Sequence, residues 1–207
     1  MIWRPAWGWP GGMPRSAIPT APSLFSSTPW TTPREPRGTI VSAGIAAACW
    51  LQEVERQLAA FEPAGLRQQV TSSWARETSA QTEDEVSALI EDQLPFHFRD
   101  PKGPALREYL RRTAGLARYA PDVIRHFSSQ AYGGIDVETR LGEVTHPVLV
   151  VAGRHDRTCA VGASQDMAQR LPNAQLVVFE NSAHMMFAEE QDRFLATVRH
   201  FLDRITS

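Results

Sequence analysis

The chain has 207 residues, 43% of them hydrophobic and 21% charged, with a net charge of -2. That is one domain with room for a core, and it offers no electrostatic reason to expect nucleic acid or an anionic membrane as a partner. No run of ~18 to 20 apolar residues marks a membrane span. The opening MIWRPAWGWPGGMP also lacks the charged, apolar and small-residue order of a signal peptide, so a cytoplasmic location is expected.

Residues 1–45 hold eight of the 15 prolines and four of the six tryptophans (Trp3, Trp7, Trp9 and Trp30), with Glu35 the one acid. Proline interrupts every helical or strand period. The segment is expected to be irregular, although so many tryptophans are unusual in disorder.

Residues 46–135 carry helical patterns. AAACWLQEVERQLAAF spaces Trp50, Leu51, Val54, Leu58 and Phe61 near the helical period. Thr82 stands before Glu83, Asp84 and Glu85, a helix start with acids in its first turn. GPALREYLRRTAGLARYAP puts Leu106, Leu110, Ala114 and Ala117 on one face, and Pro121 suits the first turn of the next helix. Together these predict a helical layer or cap.

Residues 136–207 alternate strand and helix. Pro147 to Gly153 is a continuous apolar run, as in a strand covered on both faces. A helix from about Ala163 to Leu171 follows, then a second strand from Gln175 to Glu180. A final helix from about Glu189 carries the stripe Phe194, Leu195, Val198, Phe201, Leu202 and Ile205. The order implies parallel strands with right-handed crossovers, hence an α/β fold.

Sites in open parallel sheets form beyond the C-terminal strand ends. Asp156 lies three residues past Gly153, and His184 lies four past Glu180. If the strands are neighbours, ~4.8 Å apart, a carboxylate there reaches an imidazole N–H, fixes its tautomer and stabilises the imidazolium. Each residue alone has a plainer explanation: an Asp after a strand glycine is usually a turn former, and a lone His is usually structural. Spacing, Asp-before-His order and flanking sequence favour the pair. His155 has no matched role. Gly162-Ala163-Ser164-Gln165-Asp166 imitates a nucleophile elbow but ends in Asp and opens a helix. Cys49 and Cys159 are too few for a disulfide framework and lack metal-ligand spacing, so both are expected as free thiols. Cys159 as a substitute nucleophile stands three residues from the acid, and a small buried cysteine is the simpler reading.

GRHDRTC, LPNAQLVVFE and NSAHMMFAEEQDRFLATVRHFL resemble the C-terminal end of α/β-hydrolases of the proline iminopeptidase group. QLPFHF and RYAPDVIRHF resemble, more loosely, the helical cap that the group inserts after its sixth strand. The resemblance spans roughly residues 50 to 205. It implies a partial α/β-hydrolase fold, C-terminal parallel strands with flanking helices plus a cap. It also implies Asp156 as triad acid, His184 as triad base, no metal or organic cofactor, and a small-molecule or short-peptide substrate. In that group acidic cap residues bind a substrate's α-amino group. Glu77, Glu83, Glu85 and Glu91 are the candidates, beside the alternative of solvated helix acids. Trp74, Phe96, Phe98 and Tyr109 line a pocket or pack the cap, with packing favoured.

The group's nucleophile, a Ser in Gly-x-Ser-x-Gly, has no counterpart in the 207 residues, nor has its oxyanion loop. Three origins fit: a short protein with a dead site, a fragment with an unrelated tail, or a first part read in a shifted frame. Weak or no activity is expected. The alternatives are another cap-bearing hydrolase (esterase, lactonase or epoxide hydrolase) and a non-catalytic binding protein on a hydrolase remnant. A sheet lacking its first strands exposes an edge, so oligomers or aggregates are expected.

Overall fold

The computed structural model describes residues 36–129 and 134–206. The tryptophans at positions 3, 7, 9 and 30, and most of the Pro-rich segment, lie outside the described residues. Three strands, β1 (Thr39–Ser42), β2 (Val148–Gly153) and β3 (Ala174–Phe179), form a parallel sheet in the order β1-β2-β3. β1 falls within the stretch expected to be irregular and corrects that expectation for its four residues. Thr39, Ile40 and Val41 are β-branched and suit a pleated surface, and the Thr39 and Ala43 amides donate to the Pro147 and Val151 carbonyls at 2.9 and 3.0 Å. A strand of four residues after Pro36, three half-buried and one exposed, is too short to leave a period in the sequence.

β2 is buried along its whole length, as its apolar run predicts. Its side chains alternate between two cores. Val148 and Val150 pack with Leu141, Met167 and Leu171, placing helix α6 (Val161–Arg170) on one face. Leu149 and Val151 pack with Phe179, Met186 and Phe201, placing the short α7 (Met186–Glu189) and the final α8 (Gln191–Thr206) on the other. Each such apolar side chain stabilises the fold by ~1.5–3 kcal/mol. The stripe expected on α8 is only partly used: Phe201 is buried, but Leu195 and Leu202 are 40% and 39% exposed.

Between β1 and β2 run α1 (Leu51–Ala59), α2 (Ala64–Arg76), α3 (Glu83–His97), α4 (Pro104–Thr113) and α5 (Pro121–Ser129). Thr82 and Glu85 form a capping box at the start of α3, satisfying two end amides reciprocally, and Pro121 opens α5. Ala114 and Ala117 do not extend α4 as expected. The helix stops at Thr113 because Gly115 takes a φ of 69°, which lets the chain turn out. Phe61, Val70 and Phe96 form one cap core with Trp74 against it. Leu94, Phe98 and Leu106 form another that includes Met185, so the cap docks beside His184.

Candidate active site at the strand ends

β2 and β3 are paired, Gly153 opposite Phe179, so the loops after them leave the same edge of the sheet. The turn after β2 is held by the Asp156 amide donating to the Gly153 carbonyl at 3.3 Å, and by the His155 amide donating to the Ser182 carbonyl at 3.0 Å. The two loops therefore cross at hydrogen-bond distance, and Asp156 and His184 meet: Nδ1 of His184 stands 3.0 Å from Oδ2 of Asp156.

The Asp156 carboxylate is fully buried, and its other oxygen, Oδ1, accepts from the Thr158 and Cys159 amides, each at 2.8 Å. Two amides thus fix its orientation and leave Oδ2 for the imidazole. The His184 side chain is 16% exposed. Burial opposes its positive charge, but the Asp156 carboxylate, with Cys159 beside it, outweighs that cost and pushes its pKa up to about 10. Held this way, the ring donates its Nδ1–H to Asp156 and leaves Nε2 as the nitrogen that exchanges a proton.

The loops are also tied to the cap. Arg157 donates to the carbonyls of Phe96, Phe98 and Arg99 at 3.3, 2.7 and 3.1 Å, satisfying the open end of α3, and its guanidinium lies over the Phe61 ring. Glu189 accepts the Ala183 amide at 2.7 Å and the Arg99 amide at 2.8 Å. Its burial pushes its carboxyl up, against those amides and the nearby arginines. Glu190, just before the final helix, accepts from the Asn181 amide and the Ser182 hydroxyl.

His97 is buried against this site, its ring centroid 5.1 Å from that of His184. Burial, and then the charge on His184, hold its pKa well below the usual histidine range. Neither of its ring nitrogens has a partner among the described residues. Its place is not legible in the sequence, because the end of a cap helix carries no sign of what it faces. Arg157 is equally silent although it adjoins Asp156, and Glu189 stands in the sequence only as the start of the final helix.

Cys159 is partly buried and its thiol adjoins His184. Both cysteines are free. Ser164 is fully buried on α6, and His155 is exposed, its amide donating to the Ser182 carbonyl and its ring near enough to Glu180 to act on its charge. Of the cap acids, Glu77 accepts from Gln93 and Ser128, Glu83 from the Tyr119 amide, and Glu85 caps α3; Glu91 is exposed. Trp74 and Phe96 pack edge to face, and Phe98 packs on Tyr109. No helix of the described residues is long and apolar enough to cross a membrane.

Proline iminopeptidase of Saccharolobus solfataricus is 35% identical over 72 residues, 35% of this chain and 23% of that protein. The stretches matched in the first curated relatives span between 23% and 27% of their lengths. In three dimensions, an alpha/beta fold family hydrolase from Bacillus anthracis str. Sterne aligns with a TM-score of 0.61 at 22% identity, over 79% of this chain and 58% of that one. Proline iminopeptidase of Mycobacterium smegmatis aligns at 0.53 and 22% identity, over 82% and 57%. A family model described as alpha/beta hydrolase fold matches residues 23–191. It starts inside the Pro/Trp-rich segment, further toward the N-terminus than the stretch that carries the resemblance. By that match, and by a parallel sheet with a helical cap, the chain belongs to the α/β-hydrolase fold family.

Proposed function

We propose that this chain carries the acid–base half of a serine-type hydrolase site of the proline iminopeptidase kind. Asp156 is the acid that orients His184, and His184 is the base. The supporting observation is the 3.0 Å contact between His184 Nδ1 and Asp156 Oδ2, with Asp156 Oδ1 locked by two amides.

The reaction is acyl transfer to water: a serine hydroxyl attacks a peptide or ester carbonyl, and His184 takes its proton and passes it to the leaving group. In the proline iminopeptidase reading the product is the N-terminal residue of a short peptide. No Gly-x-Ser-x-Gly stands in the 207 residues, so this chain by itself is weakly active or inactive. A fluorophosphonate probe tests that directly. No labelling is expected, and labelling of any serine contradicts it. Joined to a hydrolase N-terminal half that brings an elbow, the chain is expected to cleave aminoacyl arylamides. Asp156→Asn then lowers kcat by about 10⁴, and retention of full activity by that variant overturns the assignment.

A second reading is an esterase or related cap-bearing hydrolase. It is favoured by 37% identity over 67 residues to a pimeloyl-[acyl-carrier protein] methyl ester esterase of Vibrio parahaemolyticus. Preference for simple esters over aminoacyl arylamides in the joined protein selects it.

A further inference from the structure

Acyl transfer leaves one neighbour of the Asp156–His184 pair unused. One donor atom each from Asp156, Cys159 and His184 lies within 4.8 Å of the others. We propose that these three side chains form a transition-metal site suited to Zn(II), with a bound water as fourth ligand beside His97. The ion uses both residues of the acid–base pair, so a metal-loaded chain cannot also do the acid–base chemistry of the hydrolase reading, and the cobalt spectrum reads the site whether or not that reading holds.

Carboxylate, thiolate and imidazole together are a zinc donor set, and three protein ligands with one open position is the arrangement of reactive zinc. The spacing is near what the ion needs. Bonds of ~2.0–2.2 Å in a tetrahedron put oxygen and nitrogen donors about 3.3–3.5 Å apart, against 3.0 Å between Asp156 Oδ2 and His184 Nδ1. The ion thus takes the place of the proton the pair shares, after a small opening of the pair and a closing-in of the three donors, which lie within 4.8 Å of one another. The outer support is already built. Asp156 Oδ1 is occupied by two amides, which leaves Oδ2 as a single, oriented ligand.

His97 is the independent pointer. It is fully buried beside His184, with Nδ1 and Nε2 both lacking a partner among the described residues. A buried polar group without a partner marks a missing one, and a metal-bound water donates to it there. Cys159 is only partly buried, so the ion has a way in. On binding, the thiol and any protonated imidazole release their protons to the buffer; no electron moves.

The test uses the full chain, freed of metal by chelator dialysis, with Co(II) as the probe and Zn(II) as competitor. One Co(II) per chain is expected, giving thiolate-to-cobalt absorption in the near ultraviolet and the intense visible bands of a four-coordinate ion, both erased by Zn(II). Cys159→Ala loses the near-ultraviolet band, and Cys49→Ala keeps it. The weak spectrum of six-coordinate cobalt, or a band that follows Cys49, overturns the site. A second measurement needs no variant: stoichiometric Zn(II) slows iodoacetamide alkylation of Cys159 by at least about tenfold, because the alkylating and ligating species are the same thiolate. Alkylation of exposed Cys49 is unchanged. Equal loss of both thiols with and without Zn(II) overturns the proposal.

Discussion

A Cβ placed on Gly153 would stand 2.0 Å from the carbonyl oxygen of Ala183. The end of the acid-bearing strand and the base-bearing loop touch backbone to backbone, and no side chain fits between them. Gly153→Ala must push the two loops apart. A cost above about 3 kcal/mol is expected, beyond the usual penalty of an overpacked core, with loss of the Asp156–His184 contact. Urea denaturation checks it, and an unchanged midpoint contradicts the close approach.

Arg157 fills three carbonyls at the end of α3 with one planar group. Arg157→Ala leaves them unpaired in a partly buried place, for a loss of about 1–3 kcal/mol. Arg157→Lys recovers only part of this, since a single ammonium lacks the fork. Thermal melts of the two variants give the order; equal stability of Lys and wild type discounts the fork.

The two neighbouring histidines predict opposite pH slopes in the metal-free chain. His97 is held neutral in the fold, whereas the unfolded chain protonates it below about 6.5. The unfolded state then binds more protons, so stability falls as the pH drops below that value, and His97→Phe flattens the acid side. His184 is raised to about 10. Its contribution is fully present below about 6.5 and is lost as pH rises through 10, so His184→Asn flattens the alkaline side. Urea midpoints across pH 5 to 10 read both slopes. A variant curve parallel to wild type on its own side refutes that assignment.

Among the described residues β1 pairs with β2 alone, and an unpaired strand edge recruits other strands. Concentration-dependent self-association is expected in sedimentation or light scattering. A clean monomer with a sharp cooperative melt goes against it.

Much of this fold is legible because its signals are long or chemically distinct. β2 announces itself by six consecutive buried residues, and α3 by Thr82 and its acids. The Asp156–His184 pair is legible because parallel strands carry their ends to one edge, so spacing along the chain becomes proximity in space. β1 is hidden because four residues cannot show a period. Ala117 misleads because helical spacing persists on paper past Gly115, whose backbone turns the chain out. His97, Arg157 and Glu189 are invisible for another reason: their partners are backbone groups or rings on distant elements, and a one-dimensional pattern carries no trace of them.

Arg157 fastens the acid loop to the carbonyls of Phe96, Phe98 and Arg99, and Glu189 fastens the base loop to the amide of Arg99. Both loops therefore meet one short stretch at the end of α3. The loops themselves are fixed to the sheet at Gly153 and to each other through the His155 amide, so the core sets the distance between acid and base, and the end of α3 rests on them like a rail on two hooks.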